Sequence, residues 1–159
     1  MREYLILTMG YHVGGLLNHF IHPRRSDFIE MALHHIVTIY LMGGQYLFNV
    51  WEIGAVISYL HDVTGITTYI IKTLTETNVK LTLALVFVAH MALWFYTRLM
   101  VLPMLIYQIT TISMDFGSPI VKPFFCYMLS CLVILHAYWF IMFVNMLSKY
   151  VKTGATEDV

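Results

Sequence analysis

Two adjacent histidines, His34-His35, lie in an apolar stretch, and a second pair, His61-Asp62, follows about one helix later. Ionisable side chains are costly in hydrocarbon and there usually face a cavity or a partner. Four of them in neighbouring segments imply chemistry. On a helix, Asp27, Glu30, His34 and Thr38 follow steps of three and four and share a face, with His35 turned about 100° away. Asp62, Gly65, Tyr69 and Lys72 line one face of the following segment in the same way. If the two faces meet, a carboxylate against an imidazole fixes its tautomer and raises its basicity. The product would be a nucleophile or general base near neutral pH.

Other readings of these residue types compete. A single histidine in a membrane helix is often an interhelical hydrogen-bond partner, and His12, His19, His90 and His136 are read that way. No HxxxH or HExxH spacing occurs, and a metal cage would need histidines from several helices, so no metal is expected. Arg98 is a buried cation by position. It can pair with an acid of the third segment, contact an anionic ligand such as a phosphate or carboxylate, or snorkel to an interface. Cys126 and Cys131, five residues apart in one segment, point to different faces and read as packing residues.

The elements that must position these groups follow from composition. The chain is 59% hydrophobic and 11% charged, far below the charged share of about 25% in soluble domains. An ordinary soluble domain is thereby excluded, and one domain of membrane helices fits. Net charge is zero and no basic run suggests nucleic acid. No signal peptide is evident at the N-terminus. Apolar segments at about 4–21, 29–48, 53–71, 81–107 and 124–147 each approach the roughly 20 residues needed to cross a bilayer. Backbone groups find no partners in lipid, so all should be helical. The expected fold class is an all-α polytopic helix bundle of about five transmembrane helices, residues 1–148, with a polar tail over 149–159.

Local signals refine this layout. Pro23 followed by Ser26-Asp27 suits a helix stop and then an N-cap. Gly117-Ser118-Pro119 marks a loop. Pro103 predicts a kink in the fourth segment. Gly10, Gly14 and Gly15 would allow close helix contact in the first. Five crossings put Arg24, Arg25, Lys72, Lys80, Lys149 and Lys152 on the side of the C-terminus, and only Arg2 and Lys122 on the other. The excess of positive charge places the C-terminus in the cytoplasm, or in the matrix of a mitochondrial inner membrane.

At these residues the chain resembles the TLC-domain family, and within it the ceramide synthases. Arg25, Asp27, Phe28, His34, His35, Thr38, His61, Asp62 and Lys72 fit the family signature in order. Thr97-Arg98-Leu99 with Pro103, and Leu135-His136 with Trp139, resemble its last two helices. The resemblance implies a membrane-embedded N-acyltransferase of the endoplasmic reticulum that joins an acyl-CoA co-substrate to a sphingoid base, with no permanently bound cofactor. Carried over, His34 and His35 are acyl acceptor and base, Asp62 orients them, and His61 lines the same pocket. Arg98, Asp27 and Lys72 are the substrate-binding candidates.

The chain departs from the family at two points. Gly65 stands where the family has its second Asp, and Tyr69 where many members have Glu. The resemblance also begins at the family's middle helices, so the chain corresponds to the C-terminal part of a TLC domain. Either it is a piece of a longer product, or other membrane chains supply the missing helices. Three functions therefore compete. One is a ceramide-synthase-like acyltransferase with weakened activity, and another a catalytically inactive TLC-fold subunit that is structural or lipid-binding. The third is a transporter or channel relaying protons through histidines.

Overall fold

The computed structural model describes residues 2–21, 27–77, 79–111 and 118–153. Among them five helices follow one another: α1 (Arg2–Ile21), α2 (Phe28–Leu47), α3 (Trp51–Thr75), α4 (Lys80–Thr111) and α5 (Val121–Thr153). No strand occurs among the described residues. The apolar segments thus become helices at the expected places. α5 runs past the expected end at residue 147, and Lys149 and Lys152 lie in its extension, where cations suit the negative end of the helix dipole. Pro23, Arg24, Arg25, Ser26 and Gly117, with the tail from residue 154, lie outside the described residues.

Two helices, Lys80–Thr111 and Val121–Lys152, are each long and apolar enough to cross a membrane. Large apolar side chains stand outward on every helix, among them Leu7, Ile29, Ile66, Leu85 and Ile134. The interior is small. Leu41, Ile57, Leu102, Ile109, Val121, Phe125, Leu129 and Leu132 form one apolar cluster drawn from α2 to α5. A bundle that hides so little of its apolar surface suits lipid as its solvent.

Three local features set the geometry. α2 ends where Asn49 takes a left-handed conformation, φ 57°, and the Val50 N–H closes a 6→1 bond on the Gln45 carbonyl at 3.1 Å. Asn tolerates this conformation, so the chain turns tightly into α3. Asp27 occupies the N-cap position of α2 as expected, but its side chain makes no capping hydrogen bond. α4 opens into a π-helical turn at Phe95–Val101, just before Pro103. Proline has no N–H and its ring crowds the carbonyl of Leu99, and the wider turn relieves both. Arg98 lies on that turn.

The glycines of α1 act differently from expectation. A Cβ at Gly10 or Gly14 would meet nothing within 4 Å, so neither marks a close helix contact. A Cβ at Gly15 would lie 2.8 Å from Cε1 of His35. The close approach is between a glycine and an imidazole.

Candidate active site

One residue of helix turns a side chain by about 100°, and this rotation sorts the candidate residues into two groups. His34 turns inward from α2. It meets His61 of α3 at 6.4 Å between ring centroids, and His136 and Trp139 of α5 at 6.0 and 5.4 Å. A ring nitrogen of each of His34, His61 and His136 lies within 4.8 Å of one from the other two. His35 turns toward α1 instead, with its Nδ1 3.3 Å from Nδ1 of His12. The double histidine therefore serves two neighbourhoods joined through His12, whose ring is 5.9 Å from that of His34.

α3 divides in the same way. His61 and Thr64 face the interior. Asp62 and Tyr69, on the expected common face, turn toward α1. The Tyr4 hydroxyl donates to the Asp62 carboxylate at 2.5 Å, and the Tyr11 and Tyr69 hydroxyls meet at 3.2 Å. Asp62 was expected to orient the histidine pair. Its hydrogen bond goes to Tyr4 because its neighbour His61 already occupies the inward direction. Gly65 lies between the two tyrosine rungs, with nothing within 4 Å of a Cβ built there.

Arg98 organises the inner group and is 5% exposed. It donates to Nε2 of His136 at 2.7 Å, to the His61 carbonyl at 3.2 Å, and to the Thr64 hydroxyl. Its guanidinium lies over the Trp94 ring at 4.6 Å. An acid of the third segment was one expected partner. Asp62 faces α1, so the partners Arg98 finds on α3 are neutral oxygens. Thr64 Oγ1 also donates to the His61 carbonyl at 2.9 Å within α3, and Arg98, bonded to both groups, ties that turn to α4.

These bonds assign protons. Arginine only donates, so His136 Nε2 accepts and its Nδ1 carries the hydrogen. A carbonyl only accepts, so His61 Nδ1 donates to Ile57 O at 2.8 Å and its Nε2 holds a lone pair. Both assignments are for neutral rings. His34 Nδ1, His61 Nε2, His136 Nδ1, Trp139 Nε1 and Arg98 Nε are all buried with no hydrogen-bond partner. Buried polar atoms are normally satisfied, and these five belong to side chains that pack together.

The remaining candidates are peripheral. Lys72 is exposed at the far end of α3, its ammonium 5.9 Å from the Tyr69 ring centre. Asp27 is half-buried at the start of α2. His19 donates to the Phe28 carbonyl at 2.8 Å, and His90 meets the Thr67 hydroxyl at 2.6 Å, so both tie helices together as read from sequence. His12 and His136 were read that way too, yet they complete the histidine clusters. The signal available for His136 was its spacing of three from Trp139, which puts both on one face of α5.

An apolar groove of about 580 Å³ begins one turn beyond His35, at Ile39, and follows α2 to Leu47. Met9, Gly43 and Phe124 also line it. Over the 12 residues from His35 to Leu47 a helix advances about 18 Å.

Fold and site define an all-α membrane helix bundle with a histidine cluster at its centre. The chain belongs to the TLC-domain family, whose TLC domain it matches over residues 1–145. It is 32% identical to Ceramide synthase 4 of Mus musculus over 157 residues, covering 97% of this chain and 40% of that protein. It is 27% identical to Ceramide synthase LOH2 of Arabidopsis thaliana over 169 residues, 100% of this chain and 57% of that protein. With Ceramide synthase hyl-2 of Caenorhabditis elegans the identity is 26% over 152 residues, 88% of this chain and 46% of that protein. The chain thus spans about half the length of these relatives, and is ceramide-synthase-like over nearly all of its own. No solved structure matches it.

Proposed function

We propose that this chain carries the acyl-transfer centre of a ceramide-synthase-like N-acyltransferase, which joins an acyl-CoA to the amine of a sphingoid base. The observation that carries the reading is the group of His34, His61 and His136, which bring ring nitrogens within 4.8 Å of one another and each keep one buried nitrogen unpartnered. An imidazole nucleophile splits amide formation into two easier steps. His34 is the acyl acceptor because it alone of the pair enters this group. His35, beside His12 and one helical turn from the groove, orients the incoming substrate and moves protons. The groove along α2 takes the apolar acyl chain, as a largely apolar concavity suits such a ligand.

Arg98 acts through His136, to which it is bonded, whereas Asp27 and Lys72 stand at the water-facing ends, where they would meet the polar head of acyl-CoA. The C-terminus faces the cytoplasm and the membrane is that of the endoplasmic reticulum. Further membrane helices cover the polar α1–α3 face that carries Asp62.

The test is amide formation in membranes holding the full-length protein, supplied with a long-chain acyl-CoA and a sphingoid base. His34→Ala should abolish the product and leave the protein monodisperse in detergent. Turnover by that variant at the wild-type rate would refute the reading. A second reading, a catalytically inactive lipid-holding subunit, is favoured by Gly65 at the family's second Asp position and by the engagement of Asp62 with Tyr4. Wild-type amide formation would exclude it.

A further inference from the structure

Three of the six unpartnered buried side-chain atoms among the described residues are N–H donors around His34: His136 Nδ1, Trp139 Nε1 and Arg98 Nε. Their residues are 0%, 7% and 5% exposed. Buried donors with no acceptor cost free energy each time the protein folds, so their placement calls for an acceptor that arrives from outside. That acceptor is not a metal ion. The His136 Nδ1 proton and the adjacent guanidinium both repel a cation. The cluster instead favours an oxygen that gains negative charge. His136 and Trp139 are one turn apart on α5 and flank His34, at 6.0 and 5.4 Å between ring centroids. Both rings pack directly against His34, so a carbonyl held for attack by that imidazole lies beside them.

We infer that His136 and Trp139 form the oxyanion-binding pair for acyl transfer at His34, by donating from Nδ1 and Nε1 to the thioester carbonyl oxygen. The inference deepens the proposed function and rests on it. A ring nitrogen of His34 adds to the carbonyl carbon, and the carbonyl π pair moves to oxygen, where the two N–H groups hold it. That pair returns as the C–S bond breaks, and the departing thiolate takes the proton that the acylated His34 ring releases from its other nitrogen. The amine then adds to the acyl-imidazole through a second oxyanion held by the same donors. The amine proton passes by way of the lone pair of His61 Nε2 to the departing nitrogen of His34 as its bond to carbon breaks, which leaves both rings neutral again. Amide and thiol are the products. Arg98 is a positioning residue: its bond to Nε2 keeps the His136 proton on Nδ1.

Two readouts test this on the full-length protein in membranes. The first is kinetic. Removing one oxyanion donor costs roughly 10²–10³ in kcat, so Trp139→Phe should lower kcat by that order with the KM for acyl-CoA within about twofold. His136→Asn, whose amide nitrogen overlays Nδ1, should retain more activity than His136→Leu. The second readout needs no turnover, and therefore separates failure of this inference from failure of the proposed function. It compares binding of an acyl-CoA ketone analogue, in which CH2 replaces sulfur, with a thioether analogue that lacks the carbonyl. The wild type should prefer the ketone by about tenfold, one hydrogen bond's worth, and Trp139→Phe should lose that preference. An unchanged kcat in Trp139→Phe, or equal binding of both analogues by the wild type, would overturn the assignment. If the wild type prefers the ketone yet forms no amide, the oxygen site stands and the acyltransferase reading falls.

Discussion

Tyr4 and Asp62, fifty-eight residues apart, are joined by a hydrogen bond of 2.5 Å between the phenol and the carboxylate. This bond holds the lone acid of the α3 motif on the α1 side of the bundle. Under the proposed function, Asp62 then acts only at a distance. Asp62→Asn should lower kcat/KM for amide formation by about tenfold, against 10³-fold or more for His34→Ala, since only the latter removes a reacting group. Equal losses would show that the carboxylate works directly on the imidazole.

Gly15 gives His35 its room. Gly15→Val places side-chain carbons where the His35 ring now lies, 2.8 Å from a built Cβ. The ring must swing off His12, and acyl transfer should fall by about one to two orders of magnitude, as expected for a misplaced catalytic group. A Cβ at Gly14 meets nothing within 4 Å, so Gly14→Ala should be silent in the same assay. Thermal unfolding of both in detergent checks that folding is intact.

Gly65→Asp restores the acid that the family carries at this position. A Cβ there meets nothing within 4 Å, so the variant should fold with a melting temperature close to wild type. In membranes its amide formation should exceed that of the wild type. A drop in activity would mean that the face shared with Asp62 is tuned to Tyr4 and Tyr11 alone.

Gly54→Ala has the opposite steric outlook. Its Cβ would overlap the side-chain amide of Gln45, which is itself 4% exposed. Overpacking a filled interior costs about 1–3 kcal/mol, and the α2–α3 contact beside the apolar core should weaken by that amount. Chemical unfolding in detergent measures it. Activity normalised to folded protein should be unchanged.

Much of this protein is legible along the chain. The apolar segments are set off by connectors and termini that carry most of the charge, and lipid admits only helices there, so element type and order follow from local composition. The positions of His34, His35, His61 and Asp62 are equally local, and their motif names the family before any coordinate is drawn. The turn at Asn49 and the end of α5 were less legible. Both depend on which backbone groups find partners once the neighbouring helices are in place.

Partnership is what the linear pattern left open. Spacing puts His34 and Asp62 on the correct helices, but a step of one residue decides which neighbour each side chain meets. That step joins His34 to His136 and Trp139, about a hundred residues later, and joins Asp62 to Tyr4. The π-helical turn before Pro103 carries Arg98 onto His136, and no periodicity in α4 announces it. Helix formation is decided by groups a few residues apart, whereas tautomers and unpaired donors are decided by packing among helices distant in sequence. The sequence alone therefore determined the helices and their chemistry-bearing residues, and the tertiary structure decided which of those residues share a site.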